Sequence, residues 1–239
     1  QQILQIVNEL KQRLADLNDV PQGHIHLGTT SSIAMQILPR ILTYFQNQYP
    51  LIKITIHSMP SSIIMESVEN GVIDIGIAYL FEQKSNLETS VLYYDQFELV
   101  VSPEHPLASQ PQTAVKNLKD IPFIMLTSDT AARRFIDQVF GELQFQPRIA
   151  MEVSSSEEVK RLVELNLGVS IISKLSAAKE IRQGTLCTLR VPELEICHPV
   201  GVVYKSGRYI NTAMQQILKD LKGMPETHFL GSEEQGGRR

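Results

Sequence analysis

MEVSSSEEVKRLVELNLGVSIISK, residues 151–174, sets a strand-like start, a helical middle and a second apolar run side by side. Alternation over 148–153 predicts a strand, and Leu162, Val163, Leu165 and Leu167 predict the apolar side of a helix over 156–167. Gly168 reads as the end of that helix, and Val169, Ile171 and Ile172 as a buried strand over 169–172. At the first junction stand Ser154, Ser155 and Ser156. Ser155 or Ser156 at the N-cap satisfies orphan amides, and Glu157 and Glu158 complement the positive helix end. The other two hydroxyls are surplus to that task.

The same strand–helix–strand grammar runs outward along the chain. "HIHLG" (24–28) starts a strand, and a helix over 33–47 carries Ile37, Leu38, Ile41, Leu42 and Phe45 on its inner face. A strand at 53–58, a short helix at 62–70 ending at Gly71, and the strand "DIGIA" (74–78) follow. A second unit repeats the scheme with "FELVVS" (97–102), "PFIML" (122–126), a helix over 131–142 and the segment quoted above. The chain closes with "VGVVY" (200–204) and an amphipathic helix over 208–222. Alternating strands and helices imply parallel pairing through right-handed crossovers, hence an α/β fold, and two such units imply a cleft between them. Ahead of them, Ile3, Ile6, Val7, Leu10, Leu14 and Leu17 line one side of a helix over 2–18, too short for a coiled coil and read as a linker within 1–20. Pro21 and Gly23 break it, and 224–239, with "GSEEQGG", reads as a disordered tail.

Composition excludes several function classes. The 239 residues are 43% hydrophobic, enough for a core, yet no apolar run approaches the roughly 18 residues of a membrane span. A net charge of -4 is the wrong sign for gripping phosphates of nucleic acid. No signal peptide is visible, and the Gln1 start is read as that of a fragment with an upstream segment. Cys187 and Cys197 lack metal-ligand spacing and read as free thiols in a reducing, cytoplasmic compartment. His24 and His26 share a strand face without a third ligand at a supportive spacing, so both read as ordinary histidines, and His105 in "SPEHP" as a loop residue. Neither GxGxxG nor GxxxxGK[ST] occurs, and no Ser, His and Asp set suggests activated hydrolysis. The expectation is therefore no catalytic residue, no cofactor and no metal.

Hydroxyls recur in a pattern. Thr29, Thr30, Ser31 and Ser32 follow the first strand, Ser61 and Ser62 the second, Thr127, Ser128 and Thr130 follow "PFIML", and Ser154 to Ser156 follow the strand from 148. Each cluster lies at the carboxyl end of a strand and the amino end of a helix, where open α/β sheets bind ligands and where free amides and the helix dipole suit an anion. Arg133 is the charged candidate, with an i,i+4 pair to Asp137 as its alternative reading, and Arg134 is the fallback.

Five segments together resemble the effector-binding region of LysR-type transcriptional regulators: the helix at 2–18, "GHIHLGTTSSIAMQILPRILTYFQNQYP", "ESVENGVIDIGIA", "VVSPEHPLA" and "SSSEEVKRLVELNLGVSIISK". The resemblance spans about 2–222 and rests on order and spacing. It implies two periplasmic-binding-protein-like (type 2) subdomains, 23–100 plus 203–222 and 101–202, joined by two crossover strands around a ligand cleft. Carried across residue by residue, Thr30 and Ser31 match the first ligand loop, Ser61 the second, Ser102 the crossover, Thr130 and Arg133 a "GSGTR"-like turn, and Ser155 the loop quoted first. "SDTAAR" (128–133) departs from that turn, with Asp129 and Ala132 in place of glycine and threonine.

The resemblance further implies a homodimer or homotetramer in which the helix at 33–47 packs beside the second subdomain of the partner. DNA contact would come only through a winged helix ahead of residue 1, with RNA polymerase as a partner of the full-length protein. "PFIMLTSDTAARRFIDQVF" is similar to the carbon-fixation branch, whose effectors include 2-oxoglutarate and sugar or glycolate phosphates. The expected ligand is a small anion, a carboxylate or a phosphate. The competing readings are an extracytoplasmic solute-binding protein and, behind it, an enzyme on the same fold.

Overall fold

The computed structural model describes residues 21–81 and 84–230. The helix expected over 2–18 and the tail beyond 230 lie outside the described residues. The chain forms two compact units, one running to Tyr94 and resuming at Pro199, the other Asp95–His198. The divisions fall inside two long strands, β4 (Leu87–Val101) and β9 (Ile196–Lys205), each of which contributes to both units.

In the first unit, β1 (Gly23–Thr29) pairs in parallel with β2 (Ile52–Ser58), from Gly23 opposite Ile52 to Thr29 opposite Ser58. On its other side β1 pairs in parallel with β3 (Ile75–Tyr79), which runs antiparallel to β9 with Gly76 opposite Val203. Alternation sends Ile25, Leu27 and Thr29 into the interior and His24 and His26 to the opposite face.

The helix expected over 33–47 is two helices, α1 (Ser31–Gln36) and α2 (Leu38–Gln48). Pro39 sits in the first turn of α2, and its ring and missing N–H cannot continue a helix through Ile37, so the break falls there. Tyr49, just past α2, donates its hydroxyl to Asp220 at 2.7 Å. Burial, reinforced by that carboxylate, pushes the Tyr49 phenol up to about 12. Asp220 belongs to α7 (Thr212–Gly223), which starts later than expected because Asn211 caps it, accepting from the Met214 amide at 2.7 Å.

The tail expected from 224 is not disordered at its start. A short helix, α8 (Glu226–Leu230), buries Phe229 to 1% exposure and stacks its ring on Tyr93 at 5.6 Å. One aromatic side chain buried against another outweighs the polar composition around it.

In the second unit, β5 (Pro122–Leu126) pairs in parallel with β6 (Arg148–Val153) and meets β7 (Ser170–Ser173) through the Phe123–Val169 bridge. β7 and β8 (Cys187–Leu189) flank the later part of β4, both antiparallel to it. The resulting order β6-β5-β7-β4-β8 has the same plan as β2-β1-β3-β9 in the first unit, a parallel trio closed by an antiparallel crossover strand. Val100, Ile124, Val159, Val163, Ile172, Ala177 and Leu186 form its core.

Three helices complete this unit: α4 (Ala131–Glu142), α5 (Ser156–Glu164) and α6 (Lys174–Gln183). Neither α6 nor β8 was anticipated, because their sequence is mixed in polarity. α5 stops earlier than expected, Asn166 takes a left-handed backbone with φ 56°, and Leu165 and Leu167 are exposed. Gly168 thus does not end the helix. A methyl group there would come within 2.5 Å of the Pro122 carbonyl oxygen, so this glycine permits close approach of two backbones.

Candidate functional site

Three of the hydroxyl clusters prove to be helix caps at strand ends. Thr30 caps α1, its hydroxyl 3.5 Å from the Ile33 amide and 3.2 Å from the Ser32 hydroxyl. Thr130 caps α4, accepting from the Arg133 amide at 3.3 Å and donating to the Thr127 carbonyl at 2.9 Å. Ser155 caps α5 in a reciprocal capping box. Its hydroxyl accepts from the Glu158 amide at 3.3 Å, while Glu158 accepts from the Ser155 amide at 3.0 Å. The fourth cluster differs: Ser61 opens α3 (Ser61–Glu69) behind Pro60, which has no capping side chain.

The serines beside Ser155 divide their work. Ser154 donates to the same Glu158 oxygen at 3.2 Å, as the Ser155 hydroxyl does at 3.0 Å. These hydrogen bonds, led by Ser155, hold the Glu158 carboxyl below its usual range. Ser156 is the first residue of the helix itself. Sequence reasoning missed Glu158 as an acceptor, although an acid three residues past a serine cap is its signature.

Two expected ligand residues face inward. Thr29 is 0% exposed and, by strand alternation, points into the interior of the first unit, while its carbonyl accepts from the Met59 amide at 2.9 Å. Ser102 is buried where β4 ends in a turn. Its hydroxyl accepts from the Glu104 amide at 3.3 Å and reaches the Glu164 carbonyl, at the end of α5, at 3.5 Å. Ser61 is also buried, whereas Ser31, Ser62, Ser128 and Ser154 are exposed and Thr30, Thr127, Thr130 and Ser155 half-buried.

Arg133 is committed to its own unit. Its Nε donates to both Asp137 oxygens, at 2.8 and 2.9 Å, and its Nη1 to Glu152 and to the Leu126 carbonyl, each at 2.6 Å. The i,i+4 pair weighed as the alternative is therefore present, and it belongs to a larger clamp fastening the start of α4 to the ends of β5 and β6. Burial opposes the guanidinium charge, but the Asp137 and Glu152 carboxylates outweigh it and raise the pKa. Arg134 is exposed, with Nη1 on the Asp129 carbonyl at 2.8 Å.

Hydroxyls and first-turn amides are among the groups at these edges, beside the exposed Arg134. An α-helix leaves its first amides without internal acceptors, and a cap satisfies one of them. At α4 and α5 the rest of that turn stands beside Ser128 and Ser154 with the helix dipole behind it, and the exposed carboxylates of Asp129, Glu157 and Glu158 border the same turns. The amides and hydroxyls can hold an anion by hydrogen bonds. Among the described residues no group of three or more His, Cys, Asp or Glu could hold a metal ion, and no helix is long and apolar enough to cross a membrane.

Comparison with known proteins agrees with this architecture. The regulatory domain of Synechocystis CcmR in complex with 2-PG superposes with a TM-score of 0.77 at 22% identity, covering 84% of this chain and 97% of that one. The effector-binding domain of QuiR in complex with shikimate gives 0.76 at 22% identity, over 84% and 95%. In sequence, a probable RuBisCO transcriptional regulator of Phaeodactylum tricornutum is 27% identical over 93% of this chain and 74% of its own length. The transcriptional activator CmpR of Synechocystis is 28% identical over 90% and 71%. The LysR substrate-binding domain matches residues 18–224, and with the two-unit α/β plan already traced, the chain belongs to the LysR family as its effector-binding region.

Proposed function

We propose that this chain senses a small anionic metabolite of carbon fixation, a phosphate or a carboxylate, for a LysR-type regulator. The observation that carries the reading is the repeated junction of strand end, hydroxyls and helix start, found in both units. Such donors match an anion that hydrogen-bonds strongly. The RuBisCO and CmpR relatives and the 2-PG complex of CcmR support the carbon-fixation assignment. Nothing in the site calls for turnover, so the anion is bound and released unchanged.

Titration calorimetry with 2-phosphoglycolate, 2-oxoglutarate and inorganic phosphate tests this reading. At least one should bind, and Ser128→Ala or Ser155→Ala should each weaken it by about 1 kcal/mol, roughly fivefold. Absence of heat with every anion sinks the proposal, and undiminished affinity in both variants sinks the site.

We also propose self-association through the α1–α2 face of the first unit. Met35 and Tyr44 are large, apolar and exposed there. A second copy related by a two-fold axis covers such a face isologously. Light scattering should give a dimer mass for the wild type and a shift toward monomer for Tyr44→Asp. A concentration-independent monomer in both counts against the interface.

A further inference from the structure

Three imidazoles gather on one face of the β1–β2 pair, His24 and His26 within β1 and His57 one residue short of the end of β2. His26 Nδ1 lies 3.1 Å from His57 Nε2, with the two rings stacked at 5.3 Å. His24 lies 4.4 Å from His26, ring centre to ring centre, and its Nε2 meets the Thr55 hydroxyl at 2.7 Å. His26 and His57 sit on neighbouring parallel strands, opposite Thr55 and Gly28. We propose that the His26–His57 contact is a proton-operated latch between β1 and β2: one proton shared between the rings closes it, and a second opens it.

The chemistry follows from the donor count. A neutral imidazole carries one N–H and one lone pair, and an imidazolium carries two N–H groups and no lone pair. A contact at 3.1 Å between ring nitrogens needs a donor on one side and a lone pair on the other, so at least one ring must be neutral. When both are protonated, two N–H groups face each other and two like charges are held together at short range.

The surroundings favour opening. Lys53 and Thr55 on β2 and His24 on β1 share the face, and only Lys53 carries a fixed charge among them. Asp74, just ahead of β3, is the nearby carboxylate, but its oxygens are already engaged by the His26 amide at 2.8 Å and by Arg208 at 2.7 Å. α3 carries two carboxylates, the exposed Glu66 and the half-buried Glu69. It presents Ile64 to this face at Gly28, and its Glu69 is bound by Lys84 and Asn86. The His24 imidazole is held below its ordinary range, first by burial and then by His26. A base whose folded pKa is lowered favours the native state fully above its unfolded pKa, and that stability is lost as pH falls below it. That shift concerns His24 alone; the latch opens on acidification because a second proton removes the last lone pair between His26 and His57.

Melting curves from about pH 8 to about pH 5 test the idea, in a buffer containing a chelator so that adventitious metal cannot replace the proton. His57→Gln keeps an acceptor for the His26 N–H but cannot be protonated. The wild type should lose about 2–4 °C more in Tm on acidification than His57→Gln does. Equal losses overturn the latch. If the variant fails to fold, NMR titration of the wild-type ring protons decides. Coupled two-step titration of His26 and His57 supports the latch, and independent single steps refute it.

Discussion

Lys160→Met should destabilise the chain by about 3–5 kcal/mol, the cost of removing one partner from a buried ion pair. The Lys160 side chain is only 4% exposed and its partner Glu180 only 11%. Lys160 Nζ lies 3.0 Å from Glu180 Oε1, 3.1 Å from the Ser176 carbonyl and 2.8 Å from Glu157. Glu157 is largely exposed and loses little, since water takes over its solvation. Glu180 is different, because its other oxygen is buried without a hydrogen-bond partner among the described residues. Without Lys160 the carboxylate must stay charged in a dry site or take up a proton, and either course costs free energy.

The double variant separates this charge effect from lost packing. Lys160→Met with Glu180→Leu removes both charges at similar volume and should regain most of the loss. Urea unfolding followed by circular dichroism measures both. A single variant within about 1 kcal/mol of the wild type would show that the pair contributes little.

The Lys160 pair also shows where the sequence was hard to read. The strand–helix alternation was legible because strand and helix periods differ and most boundaries carry a cap or a glycine. On α5, however, Leu162, Val163, Leu165 and Leu167 suggested an inner face, whereas the residues buried are Val159, Lys160 and Val163, so only Val163 is common to both. The stripe follows i, i+1 and i+4 through a lysine, and a lysine scores as polar until its acceptors are known. The buried acceptors, Glu180 and the Ser176 carbonyl, lie on α6, itself unanticipated. Likewise Pro39 announced the split of the expected helix over 33–47, but the apolar spacing across Ile37 and Leu38 hid it.

At the candidate site the positions were legible and the roles less so. Hydroxyls at strand ends pointed to Thr30, Thr130 and Ser155, each of which stands at a helix start. Their first partners are amides of their own helices. Strand alternation, counted from Ile25 and Leu27, would have placed Thr29 inside. Arg133 had two readings one turn apart, and only the position of Glu152 on β6, 19 residues downstream, adds the second carboxylate that fixes it.

Gly168→Ala should cost about 2–4 kcal/mol, combining overpacking against backbone with a weakened hydrogen bond. The added methyl would stand 2.5 Å from the Pro122 carbonyl oxygen and 3.2 Å from an Ile124 side-chain carbon. That oxygen cannot retreat freely, since it accepts from the Val169 amide at 2.9 Å, and Val169 in turn accepts from Ile124 at 2.8 Å. Relief of the overlap therefore means pulling β5 from the segment entering β7 and breaking the bridge that joins the parallel strands of the second unit. The left-handed region plays no part here, so the cost reflects space rather than backbone conformation. Gly141 provides the opposite case. It lies in α4 with nothing within 4 Å of an added methyl, so Gly141→Ala should stabilise by about 0.5–1 kcal/mol. Measured side by side by urea unfolding, the two alanine variants should move the midpoint in opposite directions. A neutral Gly168→Ala would mean that the backbone crossing between β5 and β7 yields more readily than its paired hydrogen bonds imply.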